Sequence, residues 1–143
     1  MADKLTRNER SENMRRIRSK NMKPEMRVRS LVHSLGYRFR LHRKELPGKP
    51  DLVFGPRRKV IFVHGCFWHQ HPDPECKIAR LPKSRLDYWL PKLERNTQRD
   101  AETLKKLKEA GWSALVVWEC ETKAKDLAGL QKKLQKFLDE PER

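Results

Sequence analysis

The sequence predicts an α/β fold, a small mixed β-sheet flanked by helices. Two apolar runs, Lys59–His64 and Trp112–Trp118, are bounded by turn formers and read as buried strands. The stretches between and after them carry leucines at helical spacing, which gives flanking helices rather than more sheet. No repeat or Gly/Ser linker divides the 143 residues, which suffice for one real core but not for two.

Residues 1–23 are rich in Lys and Arg and poor in apolar side chains, so they are expected to lie along a phosphate surface outside the packed body. Residues 24–143 are expected to form the single domain. Pro24 suits the opening turn of a first helix and Gly36 its end. Val28, Leu31, Val32 and Leu35 make its buried stripe, and Glu25, three residues before Val28, points toward the body of the protein. Tyr37, Phe39 and Leu41 alternate with Arg38, Arg40 and His42, a strand with one wet face. A turn over Leu46-Pro47-Gly48-Lys49-Pro50 leads into a strand from Asp51 to Phe54, and Gly55-Pro56 turns the chain into Lys59–His64.

A long helix is expected from Ser84 to about Ala110, capped by Ser84 with Asp87, with Leu86, Leu90, Leu93, Leu104 and Leu107 near one face. Pro91 should kink it or mark a restart. Gly111 ends it, Trp112–Trp118 follows as another central strand, and Leu127, Leu130, Leu134, Phe137 and Leu138 define a last amphipathic helix.

Charge narrows the function. Lys and Arg number 34 against 19 Asp and Glu, a net +15. That excess goes beyond what solubility requires and points to a polyanion, nucleic acid first; the plain alternative is a basic surface. No apolar run approaches the roughly 20 residues that span a bilayer, and the N-terminus shows no signal-like stretch. Three cysteines cannot all pair, and all lie near other ligand types, which favours a reducing cytoplasm and metal binding over disulfides.

The chemistry concentrates in VIFVHGCFWHQHPDPEC, residues 60–76. Cys66, His71 and Cys76 follow one another at equal intervals, and Cys120 stands just beyond the strand ending at Trp118. Four Cys and His ligands are the usual closed set of a structural zinc site. Packed cysteines are the alternative, although Cys76 sits in the polar PDPEC segment; His64 and His69 are competing ligands. Asp51 opens one strand and Val63 ends the next, a placement that suits a divalent cation meeting a phosphate. Magnesium needs only one or two carboxylates with waters, so the Val63 carbonyl suffices as a second protein ligand. His69, if the zinc is closed by the other four, is free to act as general base. Asp51 as an ordinary turn carboxylate is the bland reading. A deaminase signature needs Pro-Cys-x-x-Cys and a common zinc-protease signature His-Glu-x-x-His, and neither is present.

Phe67 and Trp68 leave the strand end side by side, as core or as a wedge between bases. Trp89, Lys92 and Asn96 fall on one helix flank, with Asp100 a turn further, as a base-reading strip or as core plus solvated surface.

Ser11-x-Asn13-Met14-Arg15, LPGKPDLVF, VIFVHGCFWHQH, YWLPKLERNTQRD and GWSALVVWEC resemble the very short patch repair (Vsr) DNA mismatch endonucleases over nearly the whole chain. The resemblance implies a restriction-endonuclease-like fold and a magnesium-dependent nick beside the T of a T:G mismatch, the product of 5-methylcytosine deamination. It implies Asp51 and the Val63 carbonyl as magnesium ligands and His69 as base, with His64 counted in the catalytic group. Glu25 and Asp100 would support the metal-bound waters and the histidine. Cys66, His71, Cys76 and Cys120 match the structural zinc ligands. Phe67, Trp68 and Trp89 match the intercalating aromatics, Met14 enters from the opposite groove, and Lys92 and Asn96 read the mismatched pair. The expected partner is double-stranded DNA with a T:G mismatch, bound by a monomer, with a functional link to a cytosine-5 methyltransferase and mismatch-repair proteins. Val63 stands where threonine is common in the family, and the His71–Cys76 spacing is wider. Two rivals remain at this level: a catalytically silent zinc protein that binds bent or mismatched DNA, and a restriction-type nuclease on fully paired DNA.

Overall fold

The computed structural model describes residues 23–41 and 43–140. The elements follow the predicted order: α1 (Lys23–Ser34), β1 (Arg40–Leu41), β2 (Leu52–Phe54), β3 (Lys59–His64), α2 (Leu86–Glu109), β4 (Ser113–Trp118) and α3 (Leu127–Asp139). Short 3-10 turns at Glu119–Thr122 and Ala124–Asp126 join β4 to α3. The basic segment expected over residues 1–23, with Met14, lies outside the described residues except for Lys23.

The sheet order is β1-β2-β3-β4. The first three strands form an antiparallel meander, whereas β4 runs parallel to β3 after the α2 crossover. Strand periodicity sends alternate side chains to opposite faces. Leu52, Phe54, Ile61 and Val117 meet Val28 and Val32 of α1 and Leu130, Leu134 and Leu138 of α3 in one core. Val53, Val60 and Phe62 meet Leu107 of α2 in the other. Helices therefore cover both faces, which explains why β3 is a continuous apolar run with every residue but Val63 buried.

Gly36 and Gly111 end α1 and α2 by the same device. Each adopts a positive φ, 90° and 87°. The next amide reaches back five residues, Tyr37 N–H to the Val32 carbonyl at 3.3 Å and Trp112 N–H to Leu107 at 2.9 Å.

Several expectations are corrected. The strand over Ala114–Val117, β4, lies at the edge of the described sheet with only Val117 buried, because no further strand among the described residues pairs beyond it, and β1 is limited to Arg40–Leu41, both exposed. Ser84 does not cap α2: the chain passes through Arg85 in the left-handed region (φ 60°), the helix starts at Leu86, and no side chain caps it. Leu86 and Leu90 do not join the buried face, being 39% and 38% exposed. The opening turns of α2 lie beside the Cys/His loop, past the sheet, and only the later leucines reach the core. Pro91 does not interrupt the helix, which runs continuously from Leu86 to Glu109; a proline here forfeits a single amide, the one directed at Asp87.

Candidate active site and metal centre

The cleft is built where β3 outruns β2. The Asp51 N–H donates to the Ile61 carbonyl at 3.1 Å, continuing the ladder one residue past Leu52. Beyond that point the Val63 N–H donates not to backbone but to Asp51 Oδ2, at 2.6 Å. The N–H and C=O of one strand residue point to the same side, so the Val63 carbonyl faces the same edge. The turn before Asp51 is held against α2 at Gly48, where a Cβ would lie 2.3 Å from Thr103 Cγ2 and where φ is 74°. No larger residue fits there without moving the turn.

Asp51 shares a hydrogen bond with Glu25, which is buried and ion-paired with Arg29. Burial first, then the hydrogen bond and charge of Glu25, push the Asp51 carboxyl up to about 8, against the pull of the Val63 amide and Arg29. Two carboxyl groups and a carbonyl edge held together in this way repel one another when ionised. All are hard oxygen donors, the set a magnesium-like cation takes.

Across the cleft, His69 Nδ1–H donates to Asp100 Oδ2 at 2.6 Å. A carboxylate only accepts, so this bond assigns the proton to Nδ1 and leaves the Nε2 lone pair available. The His69 ring stacks flat on His64, 3.8 Å between centroids and 7° between planes. His64 is buried, and burial followed by the neighbouring His69 lowers its pKa to about 4, partly opposed by Asp100. The ligand atoms of His64, His69 and Asp100 lie within 4.8 Å of one another. Parallel rings do not aim their lone pairs at one point, however, and His69 Nδ1 is committed to Asp100. The geometry is that of an oriented imidazole on a packed support rather than of a cation cage. Lys49, Asn96 and Arg99 complete the lining.

Cys66, His71, Cys76 and Cys120 converge, with all four ligand atoms within 4.8 Å of one another. His71 Nδ1 is 3.8 Å from Cys66 Sγ and 3.5 Å from Cys120 Sγ. A tetrahedral zinc with bonds of about 2.1–2.3 Å sets its ligand atoms about 3.4–3.8 Å apart, so the donor set fits. The wider His71–Cys76 loop closes without difficulty. Burial pushes the Cys66 and Cys120 thiols up. At Cys76 burial acts the same way, but the backbone amides of Ala79 and Ile78 and the Cys66 thiol outweigh it and hold that thiol down.

Phe67, Trp68 and Trp89 form one aromatic triangle, with centroids 5.4 Å apart for Phe67–Trp68 and Phe67–Trp89 and 5.8 Å for Trp68–Trp89. All three are half-buried rather than core. Lys92 Nζ stands 5.3 Å from the Trp68 ring and 5.5 Å from Tyr88. Asn96 Nδ2–H donates to the Trp68 carbonyl at 3.1 Å, tying the loop to α2.

A profile of the family described as DNA mismatch endonuclease Vsr matches residues 2–76. The chain is 55% identical over 139 residues to the Type II nicking enzyme V.XorIIP of Xanthomonas oryzae pv. oryzae, covering 97% of this chain and 98% of that one. It is 40% identical over 126 residues to the DNA mismatch endonuclease Vsr of Escherichia coli, covering 88% and 79%. The chain belongs to the Vsr family. Among solved structures, the catalytic domain of the homing endonuclease I-Bth0305I matches with a TM-score of 0.54 at 17% identity, over 82% of this chain and 94% of that one; the likeness is one of fold.

For a Vsr DNA mismatch endonuclease the placements are coherent. Asp51, Val63, His64, His69, Asn96 and Asp100 line one cleft, with Glu25 behind Asp51. The aromatics lie beside it, at the loop and on α2. Sequence reasoning missed Tyr88, 48% exposed and 5.0 Å from Trp89, although its place beside that tryptophan was a usable signal. It also missed Lys49 and Arg99. Neither stands out in so basic a chain except by adjacency to Asp51 and Asp100.

Proposed function

We propose that this Vsr family endonuclease nicks one DNA strand beside the T of a T:G mismatch, with magnesium at the Asp51–Val63 edge and zinc at the four-ligand centre. The observation that carries this reading is the His69–Asp100 pair facing the Asp51–Val63 edge across one cleft. When bound, the divalent cation supplies charge stabilisation to the attacked phosphate. Asp51 and the Val63 carbonyl would hold it, and Glu25 would orient the waters around it. His69 Nε2 takes the proton of the attacking water while Asp100 keeps the imidazole in place. Lys49 and Arg99 add positive charge at the mouth, where the phosphate backbone enters.

Phe67, Trp68 and Trp89 fill the gap opened at a weakly stacked wobble step, and Met14 enters from the opposite groove. Lys92 and Asn96 read the mismatched pair; Asn96 keeps its oxygen for this, one amide hydrogen being spent on Trp68. The enzyme acts as a monomer in the bacterial cytoplasm, downstream of a cytosine-5 methyltransferase and alongside mismatch-repair proteins. Incubation of a T:G duplex and its C:G control, with magnesium and with chelator, tests the reading. A nick in one strand of the T:G duplex, abolished by chelator, is expected. Equal cleavage of both duplexes would overturn the mismatch specificity, and no cleavage of either would leave a silent binder.

Trp68→Ala is expected to weaken T:G duplex binding by about 10- to 100-fold, since aromatic–base stacking is worth roughly 1–3 kcal/mol. Phosphate contacts persist, so affinity for paired duplex should hold together with its salt dependence. Affinities for both duplexes at one salt concentration check this; equal losses would make Trp68 a packing residue.

A further inference from the structure

His64 and Trp118 are register partners on the parallel strands β3 and β4, so their rings meet where both strands end. Trp118 lies edge-on to His64, at 5.4 Å and 73°. Its indole also stacks on His71 of the Cys/His centre, at 4.4 Å and 16°. His64 in turn lies flat on His69, whose Nδ1–H is held by Asp100. A continuous row of ring contacts therefore runs from the four-ligand centre to the catalytic pair. Trp118 is anchored through its main chain: its backbone N–H donates to Glu121 Oε1 at 2.9 Å, and Glu121 is ion-paired with Lys133 at 2.9 Å. It does not line the Asp51 cleft but the groove on the other side, with His71 and Cys120.

We propose that Trp118 is a positioning residue, transmitting the geometry fixed at the Cys/His centre through His64 to the ring of His69. The inference rests on the reading of His69 as base. One hydrogen bond to Asp100 leaves the imidazole free to tilt about that bond. The flat face of His64 removes this freedom, provided His64 is itself held. Phe62 supports His64 on one side, at 5.6 Å, and Trp118 on another. Removing the indole opens space beside His64, and Nε2 then spends less time in line with the water it must deprotonate. Trp118 thus sets the rate of the chemical step without touching DNA at the cleft.

The test is a comparison of full-length Trp118→Leu, Trp118→Phe and His69→Ala with the wild type. Single-turnover nicking, affinity for the T:G duplex and zinc content by metal analysis are measured for each. Trp118→Leu should lose about 10- to 100-fold in nicking rate, as expected for a displacement of the base by a fraction of an ångström to about 1 Å, with affinity and zinc content unchanged. Trp118→Phe, which keeps a flat ring between His64 and His71, should recover most of that loss. Three results would overturn the proposal: a wild-type rate in Trp118→Leu, a rate that falls only in proportion to lost zinc, or a phenylalanine variant as slow as the leucine one. His69→Ala separates the two readings. If it nicks normally, the assignment of the base has failed; if it is inactive while Trp118→Leu is normal, only the positioning role has.

Discussion

Asp51→Asn is expected to lower nicking by about 10³-fold or more while leaving affinity for the T:G duplex nearly unchanged, because it removes charge stabilisation used only at the phosphate in the transition state. Asparagine keeps an oxygen able to accept the Val63 N–H, so the end of β3 should keep its place. What it gives up is the negative charge opposite Glu25. The same substitution should therefore stabilise the zinc-loaded protein in the absence of magnesium. There the unfolded chain ionises Asp51 near its ordinary 3.8, whereas the folded chain retains the proton up to about 8. A raised carboxyl pKa means stability that is full below about pH 4 and is lost as pH rises toward 8. Thermal melts of the magnesium-free, zinc-loaded wild type should decline across that window, and the Asn variant should not. At pH 8 the variant should melt a few degrees higher, corresponding to ~1 kcal/mol. Magnesium should raise the melting point of the wild type and not of the variant. Wild-type nicking in Asp51→Asn would remove Asp51 from the chemistry, and a variant that melts lower at pH 8 would remove the repulsion from Glu25.

Cys120→Ser, or removal of zinc by a strong chelator, is expected to cost several kcal/mol of stability, since a structural zinc site contributes its binding energy directly to folding. The reason lies in what the site joins. Residues 65–85, between β3 and α2, contain no helix or strand. Cys66 lies at the start of that loop and Cys76 within it, while Cys120 belongs to the 3-10 turn after β4. Without the tie, the loop is held against α2 by the His69–Asp100 and Asn96–Trp68 bonds and the aromatic triangle. A Tm lower by more than about 10 °C is expected, with nicking below the new melting point slowed but not abolished. Because burial keeps the free Cys66 and Cys120 thiols protonated, loading must release protons, and affinity for zinc should fall as the solution is acidified. Metal analysis of fresh protein with less than about half a zinc per chain would count against a closed four-ligand site.

Much of this was legible in the sequence, for identifiable reasons. Element order followed from apolar runs and turn formers, since Val60–Val63 and Ala114–Val117 both form strands, although only the first is central and the second is an edge strand with Val117 alone buried. Glu25 could be placed because helical spacing ties it to Val28, and it is indeed buried beside Asp51. The cysteine cluster was readable because spacing and ligand chemistry coincide. The start of α2 was not. A left-handed Arg85 has no sequence signature, and leucines at helical spacing do not reveal where the sheet beneath them stops. The row of rings was invisible for a different reason: it depends on the parallel register that sets His64 against Trp118, and no local pattern encodes register between strands separated by a long helix.

Val63, His64, Cys66, Phe67, Trp68 and His69 follow almost without interruption from the end of a single strand. On the proposed reading, metal edge, ring support, cysteine ligand, wedge and base are thus successive links on one short piece of chain, and none can be shifted without dragging the next. Evolving a new target through this segment should fail more often than it succeeds. The opening turns of α2 offer the opposite situation, for Leu86, Tyr88 and Leu90 are exposed and no cysteine ligand or catalytic group depends on them. Retargeting to a different mispair or flanking sequence is best sought by diversifying those three exposed positions while Trp89, Lys92, Asn96, Asp100 and the strand end are left untouched.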